Sequence, residues 1–406
     1  MYSLPFERKY SWLLMAAFIF VGCETSPEEQ PENAEAEEVE EQESTSEQGA
    51  QTFGTQYQDI RLTEIADGLE HPWAVAFLPD GKMLVTERPG RLQLITPEGE
   101  KTEISGVPEV KSQNQGGLLE VSPHPEYEEN GWIYLTYSKQ AEEGDDTALA
   151  VARARLDGEA LIDLEDIFVQ DRYSSAGRHY GSKIAWMADG TMLVSVGDRG
   201  TDPPRAQDLA DHAGSLLRLT DDGSVPDDNP FVGNDEAHDE IYTSGNRNIQ
   251  GLVVHPETGA IWATEHGPRG GDELNLLRPG ENYGWPTVTL GLDYGSQEEF
   301  RHAEARTMEG MVDPVHEFMP TLAPSGLALV TTDRFERWEG NLLAGGLRSR
   351  RIMRVVLDDA GEEVLHIEEL LLHEVGRIRD VREGPDGNIY ILTDASNGKL
   401  YRIEPS

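Results

Sequence analysis

From about Gln58 to the C-terminus the chain reads as short apolar runs. Apolar and polar residues alternate within them, and Gly, Pro, Asp and Asn separate them. A period of two places successive side chains on opposite faces of a strand. No long 3.6-residue amphipathic pattern competes with it, and short helical turns are expected only near 207–212 and 297–304. A unit also recurs: an apolar strand, a turn with Pro or Asp-Gly, a second strand ending in Thr, Glu or Asp, then a third strand. Its copies begin at Trp73, Gly117, Gly181, Gly251, Gly326 and Val381. Six such units predict an all-β chain folded as a six-bladed β-propeller with four-stranded antiparallel blades. A pair of β-sandwiches and a seven-bladed ring are the alternatives, but six hairpins stand out. The strand at 59–65 (DIRLTEI) has no hairpin partner of its own. It is expected to join the last blade and close the ring, which removes exposed sheet edges.

The first 56 residues follow a different pattern. Arg8 and Lys9 precede an apolar run at 12–21 and then Gly22-Cys23, which is the layout of a secretory signal over residues 1–22. The run is short for a spanning helix of roughly 20 residues. Phe20-Val21-Gly22-Cys23 resembles a lipobox, which would place a lipid on Cys23, the single cysteine of the chain. An ordinary signal peptide or an uncleaved anchor are the other readings. One cysteine permits no internal disulfide. Residues 23–56 are dominated by Glu, without Lys or Arg, and carry almost no large apolar side chain. Such a stretch cannot offset its ordering entropy, so it is expected to be an acidic disordered tether ahead of a catalytic propeller domain at 57–406. The picture is an exported protein, periplasmic or at the cell surface, touching a membrane only through its N-terminal lipid anchor. The formal charge of -43 over 406 residues argues against nucleic acid as a partner.

Propellers place function on loops that enter the central axis. At the equivalent end of the units stand Gln115, Arg178-His179-Tyr180, Gly197-Asp198-Arg199-Gly200, Asn246-Arg247-Asn248, Arg348 and Arg377-Ile378-Arg379. Any one arginine reads more simply as a salt-bridged surface residue. Several converging on one axis suit a planar ligand that carries carboxylates, since guanidinium binds carboxylate in bidentate fashion and stacks on flat rings. His179 and Asp198 lie at the two ends of one hairpin, which would bring them together. A His held by an Asp is an arrangement for a general base, and a turn-capping His is the alternative. The stretch 265–285, EHGPRGGDELNLLRPGENYGW, combines a Gly/Pro-fixed path with Asp272 and Glu273. Carbonyls and carboxylates are the hard oxygen ligands that calcium prefers, although a solvated surface turn has the same composition.

The set QGGLL, RHYGSKI…VGDRG, DDGSVPDDNPF, GNRNIQGL, EHGPRGGDELN…GENYGWP and RIRDV…PDGNIYILTD resembles the soluble pyrroloquinoline quinone (PQQ) dependent sugar dehydrogenases. It is nearest to the aldose sugar dehydrogenase branch of the glucose/sorbosone dehydrogenase family, and the similarity runs from about Leu69 to the C-terminus. The resemblance implies oxidation of an aldose at its anomeric carbon to a lactone, with PQQ and calcium as cofactors and an external electron acceptor. Position by position it implies His179 as general base, oriented by Asp198. Gln115, Arg247, Asn248, Arg348, Arg377 and Arg379 would hold the quinone. The carbonyls of Gly267 and Pro268 would bind its calcium, and Glu273 and Tyr283 a second, structural calcium. Arg348 stands where the soluble glucose dehydrogenases have Lys, and Arg178 where they have Asp, so their sugar preference does not carry over. Their long dimer and lid loops are shorter here. A calcium-dependent, lactonase-like propeller hydrolase and a non-catalytic binding propeller are the competing readings.

Overall fold

The computed structural model describes residues 50–358 and 360–406. The expected signal peptide, Cys23 and the tether up to residue 49 lie outside the described residues. Six antiparallel sheets make up the structure. Blade one comprises Pro72–Phe77, Met83–Glu87, Arg91–Ile95 and Lys101–Ile104. Blade two comprises Leu118–Pro123, Trp132–Gln140, Thr147–Asp157 and Ala160–Val169. Blade three comprises Ile184–Trp186, Met192–Val196, Ser215–Leu219 and Ile241–Thr243. Blade four comprises Ile249–Val254, Ile261–Glu265, Asp272–Leu277 and His316–Phe318. Blade five comprises Pro324–Leu329, Leu342–Gly346, Ile352–Leu357 and Val364–Leu370. Blade six takes Ile378–Glu383, Ile389–Thr393 and Gly398–Pro405 from the C-terminus, then Asp59–Leu69 and Ala50–Gly54 from the other end of the described chain. The first strand of each blade packs on the first strand of the next, and that of blade six on that of blade one. This is the six-bladed β-propeller the repeat predicts, closed by Asp59–Leu69 pairing with Gly398–Pro405.

Burial follows position in the blade. Met83–Glu87 is buried on every residue, whereas Lys101–Ile104 at the rim is buried only at Ile104. Inner strands are covered on both faces by the neighbouring blades, so their apolar runs are nearly continuous; the outer strands keep the polar alternation.

Three expectations need correction. The tether does not extend to residue 56, because Ala50–Gly54 pairs with Asp59–Leu69 from Ala50 opposite Thr63 to Gly54 opposite Asp59. Phe53 packs against the apolar core of blades five and six, and Thr55 N–H donates to the Gln58 carbonyl at 3.1 Å to close the turn. An outer strand needs only backbone pairing and one apolar anchor, which a composition count misses. The helical turn expected at 207–212 is a 3-10 turn at Pro203–Gln207, where Pro203 supplies the fixed φ of a first turn. No helix forms at 297–304: Gln297 has φ of 63°, and Leu292 bridges Glu299 antiparallel. The short α-helix Tyr127–Asn130, ended by Gly131 at φ 71°, has no amphipathic signature to announce it.

The inner strands carry a buried charge cluster. Lys183 Nζ lies 2.9 Å from Glu120 and 3.2 Å from Asp380, and Arg382 pairs with both carboxylates. Asp380 also accepts from the Val75 N–H at 3.1 Å, and a side chain at Gly326 would place Cβ 2.2 Å from Asp380 Oδ1. Blades one, two, three, five and six therefore all approach this one point. Burial alone would raise the Asp380 pKa, but Arg382 and Lys183 hold it below its ordinary value. Lys183→Met should cost about 3–5 kcal/mol, because it leaves buried carboxylates undercompensated. Lys399→Met, at the exposed pair with Glu64, should cost at most about 1 kcal/mol. Chemical denaturation of the two variants side by side checks the contrast, and equal midpoints would refute it.

Candidate active site

His179 sits on the connection from blade two to blade three, and Asp198 lies two residues past the strand Met192–Val196. The fold brings them together: His179 Nδ1 is 2.6 Å from Asp198 Oδ1. That carboxylate is held at two more points and the residue's backbone at a third. Oδ1 accepts the Gly200 N–H at 2.8 Å, Oδ2 accepts Trp285 Nε1–H at 2.8 Å, and the Asp198 N–H donates to the Arg247 carbonyl at 2.8 Å. The His179 N–H donates to Gln115 Oε1 at 2.9 Å. Arg199 is fully buried, stacks on Tyr180 at 3.6 Å and donates to the carbonyls of Arg178 and His179. The approach needs a glycine at 197, since a Cβ there would lie 2.2 Å from the His179 carbonyl oxygen. His179, Ser182 and Arg199 all have positive φ, so the backbone around the pair is held in an unfavourable region by its surroundings.

With Nδ1 committed to Asp198, the other ring nitrogen is the one available for proton transfer. Burial lowers the His179 pKa, Asp198 raises it in part, and Arg247 lowers it again; the net shift is downward. Burial by itself would raise Asp198, but His179 and Arg247 hold it below its ordinary value. The pair at neutral pH is therefore a neutral imidazole against a carboxylate, the state a general base requires.

His179 lines a cavity of about 480 Å³ together with Gln115, Arg247, Asn248, Arg377 and Arg379. Arg348 lines an adjoining cavity of about 720 Å³, and His266, Tyr294 and Ala323 belong to both. Of the residues expected to hold a ligand, five face the central cavity and Arg348 faces its neighbour. The central cavity has four arginines, the fourth being Arg88, against one lining carboxylate, Asp394. Asp394 is partly buried, which alone would raise its pKa, yet Arg379, His71 and Arg377 hold it well below the usual carboxylate range. The guanidinium of Arg379 stacks 4.2 Å from Trp73 and that of Arg247 5.0 Å from Trp285. On residues that line this cavity, four donors are buried without a hydrogen-bond partner: Trp73 Nε1 and the Nε atoms of Arg88, Arg247 and Arg379. Unpaired buried donors are costly. A planar ligand rich in carboxylate and carbonyl oxygens would suit the excess of guanidiniums over carboxylate in this lining.

The stretch 265–285 divides into a crossing and a strand. Only residues 266–271 form the crossing, and Asp272–Leu277 is the third strand of blade four. Pro268 lines the cavity that holds Arg348, whereas Gly267 lines a small pocket with Glu265, Glu273 and Tyr283. Glu265 and Glu273 are paired directly across the two strands. Burial raises Glu265 to about 7, and burial with the Glu265 carboxylate opposite raises Glu273 well above its ordinary value. Opposed buried carboxylates need a cation or a proton between them. With carbonyls nearby, the donor set fits a hard cation such as calcium. The Tyr283 hydroxyl is committed to the Leu276 carbonyl at 2.8 Å, which leaves its carbonyl, not its phenol, to offer an ion.

Sequence reasoning missed Trp73, His71, Arg88, Asp394, Glu265, His266 and Trp285 at these sites. Trp285 ends the stretch singled out above, and Asp394 follows the last hairpin, at the same blade end as the arginines. Position in the repeat could have found both.

Comparison with known proteins follows the same residues. The sequence profile of the family described as Glucose / Sorbosone dehydrogenase matches residues 69–402. The aldose sugar dehydrogenase YliI of Escherichia coli (strain K12) is 38% identical over 349 residues, covering 85% of this chain and 93% of that protein. The apo-form crystal structure of the soluble aldose sugar dehydrogenase from Escherichia coli has a TM-score of 0.82 at 37% identity, covering 86% of this chain and 100% of that one. The PQQ-bound form of an aldose sugar dehydrogenase from Streptomyces coelicolor has a TM-score of 0.68 at 26% identity, covering 85% of this chain and 98% of that one.

The His179 ring should titrate, by NMR of the apo-protein, below the imidazole value of about 6.5. Asp198→Asn should move that titration further down, because the carboxylate is what favours the imidazolium. A titration point that stays or rises would contradict the assigned contact.

Proposed function

This chain belongs to the glucose/sorbosone dehydrogenase family, and on that premise we propose that it oxidises an aldose at the anomeric carbon to the lactone, using PQQ and calcium and passing electrons to an external acceptor. A sugar dehydrogenase activity is common to the relatives named above. The choice of cofactor rests on the central cavity, and one observation carries it: a space lined by four arginines against a single carboxylate. Gln115, Asn248, Arg247, Arg377 and Arg379 would hold the carboxylates and carbonyls of PQQ from within this cavity, and Arg348 from its neighbour. When bound, PQQ supplies the two-electron acceptor for the hydride of the sugar carbon. Pro268 and Gly267 would offer carbonyls to the calcium beside it, and Glu273 with Tyr283 would hold a second ion, with Glu265 added to that set by the strand pairing.

The protein's own part is proton management and placement. His179 takes the proton of the anomeric hydroxyl. Asp198 keeps Nδ1 protonated and stabilises the imidazolium that forms. Trp285, Gly200 and the Arg247 carbonyl keep Asp198 from turning away. The strained backbone at His179, held by Arg199 and Gln115, fixes the ring before substrate arrives. Export through the segment 1–22, with a lipid on Cys23, would place this chemistry outside the cytoplasm.

Reconstitution of apo-protein with PQQ and calcium should give a cofactor absorption spectrum that changes on adding glucose or another aldose. His179→Ala should keep that spectrum and lose turnover by about 10²–10⁴-fold. Unchanged turnover would refute the base, and absence of any PQQ spectrum would refute the cofactor. Because the base must be neutral, turnover should fall as pH drops through the His179 pKa, which places the acid limb below the ordinary imidazole range.

Calcium should raise the melting temperature of apo-protein, with about 2.7 kcal/mol of stabilisation at a hundredfold excess over Kd. Glu273→Gln should remove part of this shift, measured by calorimetry with and without a chelator. The same calcium-dependent shift in the variant would take Glu273 out of the ligand set.

A further inference from the structure

A second cluster of ligand-type side chains lies away from the cavity, at the outer seam between blades two and three. Asp171 follows Ala160–Val169, the outer strand of blade two. His212 and His238 belong to the connections flanking Ser215–Leu219 of blade three. Asp171 Oδ1 is 2.9 Å from His212 Nδ1, and its Oδ2 is 3.1 Å from His238 Nε2. One ligand atom from each residue lies within 4.8 Å of the other two. The imidazoles are stacked at 4.1 Å and 14°, and Phe168 packs edge-on against His212.

We propose that Asp171, His212 and His238 form a binding site for a divalent transition metal of the zinc type. Two imidazoles and a carboxylate are a ligand set for zinc or its neighbours and a poor one for calcium, which takes oxygen. Zinc bonds of about 2.0–2.2 Å imply donor separations of roughly 3.3 Å in a tetrahedral site. The two carboxylate-to-nitrogen distances are already within a few tenths of an ångström of this. His212 is 5% exposed, and its Nε2 is buried with no hydrogen-bond partner, 3.7 Å from Glu240 Oε2. A metal-bound imidazole usually presents its other nitrogen to a carboxylate in this way, which fixes the ring and raises its basicity. His238 is 30% exposed and Asp171 33%, so the open side can admit an ion and the water that completes its shell. Turning the half-exposed His238 ring out of the stack brings its nitrogen to the same point.

The position gives the site a consequence. Asp171 lies on the connection that carries His179, and His212 on the connection that carries Asp198. Arg205 already ties these segments, through Asp211 at 2.6 Å and Ser174 at 2.8 Å. A metal there is a cross-link between the two arms of the candidate base pair. The metal site itself rests on its own residues and not on the proposed reaction.

The test is titration of the full chain, saturated with calcium, with ZnCl2 by calorimetry and with CoCl2 by visible absorption. The expected result is one zinc per chain, visible bands of nitrogen-ligated cobalt, and a zinc-dependent rise in melting temperature. His238→Ala and Asp171→Asn, both on the open side, should each weaken zinc binding at least tenfold and abolish the melting shift while PQQ binding is kept. Absence of stoichiometric zinc binding would overturn the proposal, as would zinc affinity unchanged in both variants. Loss of PQQ binding in an otherwise zinc-competent wild type would count against the dehydrogenase reading alone.

Discussion

The buried charges of Glu120, Lys183, Asp380 and Arg382 are the constraint on which the rest of the molecule depends. A propeller has no single core. Its blades pack pairwise, and its inner strands meet around an axis where apolar side chains from six sheets cannot all converge. This chain fills the meeting point with two carboxylates and two cations that reach across blades. Each charge is expensive to bury alone and is tolerated only when its partners are in place. The cluster therefore favours one registry of the inner strands, and Gly326 leaves room for it. Arg379 adjoins Asp380 in sequence and faces the central cavity, so the axial cluster also sets where that cavity's wall begins.

Above that cluster the same physics runs in the opposite direction. The central cavity is lined by guanidiniums in excess over carboxylates, inside a chain whose formal charge is -43. Asp394 serves two of the arginines and His71 at once, and several donors are left without partners. The inner strands are charge-satisfied and the cavity keeps cations in excess, which is the lining the proposed acceptor-rich ligand would need. Beside it, His179 is kept neutral by burial while Asp198 is kept charged by its neighbours. Two titratable groups with opposed environments, within hydrogen-bond distance, are what the proposed base and its orienting partner require.

Some of this was legible in the sequence for definite reasons. The six units could be counted because a strand-turn-strand repeat is a local pattern, and local patterns survive without coordinates. His179 and Asp198 could be paired because they close the ends of one hairpin. The arginines could be gathered because they recur at the same end of each unit. Residues whose role depends on a partner from another strand were not found. Glu265 ends a strand and looks like any strand-terminal acid until its partner strand places Glu273 opposite it. Trp73 opens a blade as a core residue would, and only its stack with Arg379 gives its ring a second task. The strand Ala50–Gly54 was hidden in acidic, low-complexity composition, since edge pairing uses backbone groups that every residue has.

The sequence by itself determined the class of fold, the number of blades, the closure by Asp59–Leu69 and the family, because alternation, turn residues and ordered motifs are properties of neighbouring positions. Tertiary structure alone decided which side chains share a space. It sent Arg348 to the adjoining cavity, joined Trp285 to Asp198 across 87 residues, and set Asp171 between two histidines of the next blade. Such contacts depend on how successive blades stack around the axis. That stacking is fixed by packing and buried charge over the whole ring, and no short stretch of sequence contains it.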